Sequence, residues 1–441
     1  MTECTGQGEL FGKVGRSQIE ATFDGLEISS DAGGALLLRQ AERHCGLLAA
    51  AARCLPDSRQ ARQVSHTRLA QLTQRVFGMA LGYEDLNDHA RLRSDTALQT
   101  ALGQRHEASS APTLCRFENA MDRASAVALH GVLLDQFIAR RGGQEPHELI
   151  LDFDATDDPV HGQQEGRFFH GYYDRYCFLP LYVFCGEELL VSYLRPANID
   201  GAHHAAAVLK LLVRRLRQAW PAVRITIRAD SGFCRRKLLG WCERNRVHYV
   251  IGLARNARLA ALAAKAMARC ERRYVRTGEK QRDFAELRYA AGTWKKKSRR
   301  VILRSEHGPQ GANPRYVVTN RWDAAARIYD EIYCQRGEME NRIKEQQLGL
   351  FADRTSCSDW WANQFRLLQA SLAYTLMQVI RAVGLAGTEL ATAQCSTIRL
   401  KLFKVGAAIV RSVRRIRFQL SSAFPYQELF LTAALRLRPS G

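Results

Sequence analysis

Leu149-Ile150-Leu151-Asp152-Phe153-Asp154-Ala155-Thr156 is the stretch on which the fold turns. Leu149, Leu151 and Phe153 alternate with Ile150, Asp152 and Asp154, the period of two that side chains follow along a β-strand. One face is apolar and the other carries two carboxylates. A strand that buries one face rarely spends two acids on the other without a reason. The Asp157-Asp158-Pro159 that follows would equally suit a strand end entering a polar turn.

Downstream, residues 181–185 form a short apolar run after Pro180, and Gly186-Glu187 turns it into a second run at 189–194, which reads as a hairpin. Residues 203–220 read as a helix, with Val208, Leu212 and Leu216 stacked on one face, Arg214, Arg215 and Arg217 elsewhere, and Pro221 as its stop. Val223, Ile225 and Ile227 alternate toward Asp230, a further strand; a helix at 233–245 and a strand at 247–253 complete the series. The order is strand, two hairpin strands, helix, strand, helix, strand. It predicts an α/β fold, a ribonuclease H-like mixed sheet flanked by helices.

Upstream, residues 1–32 show no strong period, while 33–140 are rich in Ala, Leu and Arg and read as helical. Ala111-Pro112-Thr113 has the Pro of a first helical turn, and Arg141-Gly142-Gly143 closes the region. Residues 255–325 carry short alternating stretches and heavy basic charge, and read as a β-rich insertion; helices follow at about 323–350 and 359–383. The expected organisation is an N-terminal helical domain at 1–145, the first part of the core at 146–254, the basic insertion at 255–325, a helical remainder of the core at 326–390 and a basic tail at 391–441.

The chain has 441 residues, 46% of them hydrophobic, enough for more than one sizeable core. A formal net charge of +20 favours a polyanionic partner, nucleic acid above all. The 12 cysteines include no CxxC pair and no zinc-type spacing, which suits free thiols in a reducing cytoplasm. Met1 to Leu10 lacks a signal-peptide pattern, and the longest apolar stretch, around 367–385, is broken by Gln369, Gln378 and Arg381; the expectation is a cytoplasmic, nucleoid-associated protein with no membrane partner.

Two further places join the first strand as sites of chemistry. Asp230-Ser231-Gly232 ends an apolar strand, where ligands of open α/β sheets collect, although Asp and Ser are also good helix caps. Tyr333, Arg336 and Glu340 fall at i, i+3 and i+7, one helix face that Lys344 continues. Alone, that stripe reads more simply as an exposed face laced with Glu–Lys pairs. Together with two strand-end carboxylates it suits phosphate chemistry: Mg²⁺ takes oxygen ligands, paired ions can serve the attacking and leaving oxygens of a phosphodiester, and Arg grips phosphate with two nitrogens.

At these residues the chain resembles the DDE transposases of bacterial insertion sequences, in the branch with a β-rich insertion before the catalytic Glu and a Tyr-Arg-Glu-Lys signature. Asp154-Ala155-Thr156 matches the family's Asp-x-Thr, Asp230-Ser231-Gly232 its second Asp, and Tyr333, Arg336 and Glu340 its signature; Gln347 stands where Lys is expected, with Lys344 one turn earlier as its substitute. The resemblance implies Asp154, Asp230 and Glu340 as catalytic and metal-binding residues, with Asp152 the alternative for the first. It also implies two Mg²⁺ ions, replaceable by Mn²⁺, cleavage and strand transfer at terminal inverted repeats, target DNA as second substrate, and synapsis by a homodimer. DNA contacts are expected from Tyr333, Arg336 and Lys344 and from Lys295, Lys296 and Lys297 of the insertion. Trp294 beside those lysines suits a base-stacking residue, and suits the insertion's own core better. The alternatives are a metal nuclease of the same fold that cuts without joining, and a DNA-binding descendant without catalysis.

Overall fold

The alternating stretch becomes strand β1, Glu148–Ala155, in the computed structural model, which describes residues 13–14, 17–18, 29–160, 162–294 and 297–439. The hairpin strands are β2, Leu181–Cys185, and β3, Glu188–Tyr193. Val223, Ile225 and Ile227 lead into β4, Arg224–Ala229, and the fifth expected strand is β5, His248–Leu253. Three more follow: β6, Gln281–Tyr289; β7, Arg299–Gly308; and β8, Arg315–Thr319. All eight lie in one sheet in the order β6-β7-β8-β5-β4-β1-β2-β3. β1 runs parallel to β4, and β4 to β5, while β2 is antiparallel to β1. This is a mixed sheet, as the pattern predicts.

The N-terminal region is helical, with α1 at Ala35–Cys45, α2 at Arg68–Leu81 and α3 at Arg123–Ala139. The crossover helices are α4, Ala205–Ala219, and α5, Arg236–Arg244. They cover the face of the sheet on which Leu149, Leu151, Phe153, Ile225 and Ile227 are buried. The opposite face carries Ile150, Asp152 and Asp154 by the alternation of β1. There Val250, Ile302 and Val317 pack on Ile328, Tyr329 and Ile332 of a late helical run.

Two differences from the sequence expectation have clear physical causes. The interval 255–325 opens with a 21-residue helix, α6, Ala257–Thr277. Leu259, Ala263, Ala266 and Cys270 form its buried stripe, a 3.6-residue period hidden among many charges. The strands of that interval also extend the main sheet: β8 pairs antiparallel with β5, Ile251 opposite Val318, and covers an edge that would otherwise be open.

The N-terminal helices, for their part, share a core with the chain's end. After α7, Gly337–Lys344, comes α8, Trp360–Val379, buried on all sides between β2 and β3 and the first helices, with Phe77, Phe117, Phe184 and Phe365 in one cluster. Its polar residues close the sheet edge. Gln364 donates to the Ser192 carbonyl at 3.0 Å and accepts from the Leu194 N–H at 2.8 Å. Among the described residues no helix is long and apolar enough to cross a membrane.

Candidate active site

β1 and β4 are parallel with Phe153 opposite Ala229, so Asp154, still paired with Tyr182 of β2, and Asp230, the first residue past β4, come side by side at the carboxyl ends of the strands. Asp230 also caps the turn that follows, its Oδ1 accepting from the Gly232 N–H at 2.8 Å. The capping and site readings of this residue are compatible, because one oxygen suffices for the cap.

Asp152 is spent differently. It is fully buried, and Arg228 of β4 donates to it from Nε and, at 2.7 Å, from Nη2. Burial raises its pKa and the Arg228 guanidinium opposes that. The remaining nitrogen, Nη1, donates to the Ile332 carbonyl at 2.5 Å, tying the late helical run to the sheet. Sequence reasoning missed Arg228. The only signal was its position two residues before Asp230, on the same strand face, and its partner is visible only once the strands are in register.

The helical run that bears the signature is not one uniform α-helix. It winds as a π-helical segment, Arg327–Tyr333, a tightened turn, Cys334–Arg336, then α7, then a second π-helical segment, Glu345–Gly349. Such irregular turns are common where a helix must aim side chains at a site. Here Arg336 bridges the two acids: Nη1 lies 3.4 Å from Asp154 Oδ2 and Nη2 donates to Glu340 Oε1 at 2.9 Å. Burial, helped by the Asp230 and Glu340 charges and opposed by Arg336, pushes the Asp154 carboxyl up to about 7. Burial also raises the Tyr333 phenol, with Arg336 opposing and Asp230 adding to it.

Tyr333 reaches β5 at Gly252. A Cβ there would stand 2.6 Å from Tyr333 Oη and 2.9 Å from the Ser231 nitrogen, closer than real contacts allow. Glycine is needed at this point for close approach, since the turn after Asp230 and the Tyr333 hydroxyl meet over it. Gly252→Ala is therefore expected to destabilise the protein by about 1–3 kcal/mol. In thermal denaturation, Tyr333→Phe in the same chain should restore only part of the loss, because the backbone clash remains. Full recovery would mean that the hydroxyl is the sole obstacle.

The other expected site residues are dispersed. Lys344 is exposed on α7. Gln347, at the family's Lys position, donates to the Asp157 carbonyl at 3.0 Å and so steadies the loop after Asp154. Lys297 is 2.6 Å from Glu243 Oε2, and Lys295 and Lys296 lie outside the described residues. Trp294 is buried edge-on to Tyr289 with Arg299 over its ring at 4.8 Å, the packing role that its setting favoured. Also missed was a cleft of about 560 Å³ beside Tyr333 and Arg336, lined by Arg255, Arg304 and Arg315 with Tyr329. These arginines come from three chain segments and share no local pattern.

Asp154 and Asp230 offer hard oxygens side by side, and the Asp230 charge that helps raise the Asp154 carboxyl is a like-charge repulsion that a divalent cation would relieve, so the donor set fits such an ion. Glu340 is half exposed and turned to Arg336, and among the described residues no three acidic, His or Cys side chains gather into a ready-made metal cluster.

The model of the transposase DDE domain group 1 family matches residues 11–441. No curated protein matches the chain. Among solved structures, a cryo-EM structure of the piggyBac transposase synaptic complex with hairpin DNA is similar over 84% of this chain and 79% of that chain, at 13% identity and a TM-score of 0.39, a likeness too slight to bear on the fold or the site.

Proposed function

The chain belongs to the transposase DDE domain group 1 family, and we propose that it is a cut-and-paste transposase that cleaves DNA at the terminal inverted repeats of its element and joins the ends to target DNA. The observation that carries this reading is the meeting of Asp154 and Asp230 at neighbouring strand ends with Arg336 and Glu340 from the facing helical run. The sheet order β3-β2-β1-β4-β5, with β2 alone reversed against β1, supports a ribonuclease H-like core.

In this reading Asp154, Asp230 and Glu340 hold two divalent ions, Mg²⁺ or Mn²⁺, which when bound supply activation of the attacking oxygen and stabilisation of the leaving oxygen. Arg336 neutralises Asp154 and Glu340 before DNA arrives and passes to the scissile phosphate when it does, a move suited to a guanidinium with nitrogens aimed in two directions. Tyr333 positions the strand over Gly252. Asp152 and Arg228 hold the sheet to the helical run and take no part in the chemistry. Cleavage frees a 3′ hydroxyl that attacks the target directly, so no nucleophilic Ser or Tyr is needed. The basic surface of the N-terminal helices and of the interval 255–325 binds the ends, with affinity that falls steeply with salt. Two copies pair the two ends.

The test uses purified protein, linear DNA with the native flanking repeats, a circular target plasmid and Mg²⁺ or Mn²⁺. Metal-dependent cleavage and joining are expected, both lost in Asp230→Asn with end binding retained. Cleavage without joined product would replace the proposal by a nuclease; end binding with neither activity would leave a DNA-binding protein.

A further inference from the structure

Between β1 and β2 the chain runs out into a small hairpin. Phe168–His170 pairs antiparallel with Arg175–Phe178, and Asp158–Pro159 adds a third short strand. The root is firmly held: Phe178 packs edge-on against Trp360 at 5.5 Å, Glu165 accepts from the Trp360 N–H at 3.1 Å, and Gly166, at φ +76°, lies where a Cβ would strike the Trp360 ring. On the inner face Cys177 is buried against Leu179 and Ala197, while Phe168 opposite it is 40% exposed.

The outer face is more open. Phe169 and Tyr176 stand opposite each other in register, ring centroids 5.6 Å apart, and are 52% and 50% exposed. Arg167 lies over the Tyr176 ring at 4.9 Å. At the tip Tyr172 is 86% exposed, edge-on to Tyr173 at 5.0 Å. Tyr173 packs against the same small cluster of Cys177, Leu179 and Ala197 as Ala155, the neighbour of Asp154, and its phenol is pushed up to about 12 by burial and by the charges of Asp157 and Asp154. Arg175 faces Asp157 across 3.8 Å. A hairpin held at its root thus presents aromatic faces and arginines to solvent, and its base shares a packing cluster with the neighbour of the candidate catalytic carboxylate. Packing within the hairpin accounts for the Phe169–Tyr176 pair; it leaves Tyr172 unexplained.

We propose that the segment 165–178 is a stacking platform for unpaired DNA bases beside the strand being cut. The occupant follows from the chemistry of the face and from its continuity with the site. Every base has a flat π-face that rings such as Tyr172 and Phe169 accept without sequence preference, while guanidinium groups and a chain of net charge +20 draw in the phosphates. The inference rests on the transposase reading for the identity of the strand, and its test is separable from that reading.

The test compares two forked DNAs in the absence of divalent metal. They share one duplex; one carries an eight-nucleotide dT arm and the other an abasic arm of equal length, so the phosphates match and only the bases differ. The full-length protein is expected to bind the dT fork about tenfold tighter, the effect of one or two stacked bases. Phe169→Ala/Tyr172→Ala should reduce that preference to less than about twofold with affinity for the blunt duplex unchanged, which also reports an intact fold. Tyr172→Phe should keep it. Equal binding of the two forks by the native protein, or a preference that survives the double substitution, would overturn the platform. Because the assay reads binding without metal, it can fail while metal-dependent cleavage and joining stand, and the reverse.

Discussion

Asp154→Asn is expected to lower metal-dependent DNA cleavage by on the order of a thousandfold or more, and at the same time to make the metal-free protein more stable above neutral pH. Both effects have one origin. The carboxyl is mostly buried, feels the charges of Asp230 and Glu340, and is pushed up to about 7 in the folded chain against an ordinary 3.8. Between those two values the folded state holds a proton that the unfolded state has released. Native stability therefore falls as pH rises through this window, and above about 7 the full cost of the buried charge is present. Asn carries no charge to lose. The variant should match the native protein near pH 4 and exceed it by about 2–4 kcal/mol at pH 8. Denaturant titrations of the metal-free proteins at both pH values read this directly. Mg²⁺ should raise the melting temperature of the native protein at pH 8 and barely move that of the variant. A variant equally stable or less stable at pH 8 would mean that Asp154 is structural and well compensated.

Arg336→Gln is the second large effect. Arg336 lies between Asp154 and Glu340 and is the guanidinium that opposes the rise of the Asp154 carboxyl. Without it that carboxyl moves further above about 7 and competes less well for metal at neutral pH. Single-turnover cleavage is expected to fall by about a hundredfold at pH 7, to recover in part by pH 9, and to show an acid limb displaced upward. Arg336→Lys keeps the charge and loses the two-nitrogen reach, and should fall between. A loss of equal size at every pH would assign Arg336 to phosphate contact alone.

Much of this site is legible in the order of residues because the relevant periods are local. Asp154 and Asp230 each end a run of alternating apolar residues, and alternation alone puts them at strand ends. The helical spacing of Tyr333, Arg336 and Glu340 places them on one run, although its π-helical and tightened turns are not visible in any spacing. The ion pair of Lys297 with Glu243 is not legible in the sequence, because nothing local to Lys297 reveals a partner more than fifty positions away in the chain. Helix α6 was hidden because its apolar stripe is narrow and its other faces are crowded with charge.

What the sequence determined by itself is the succession of elements and the residue types at their ends, since a strand's period of two and a helix's of 3.6 are properties of consecutive residues. What only the tertiary structure decided is the division of labour among like groups. Asp152 and Asp154 share a face and differ by one alternation, yet the register of β1 against β4 gives Arg228 to the first, while the path of the late helical run gives Arg336 to the second. The same holds for Gly252, which is glycine because Ser231 and Tyr333 converge on it, and for β8, which joins the main sheet because β5 had an edge to cover. Register and convergence relate segments far apart in the chain, and no local period carries that information.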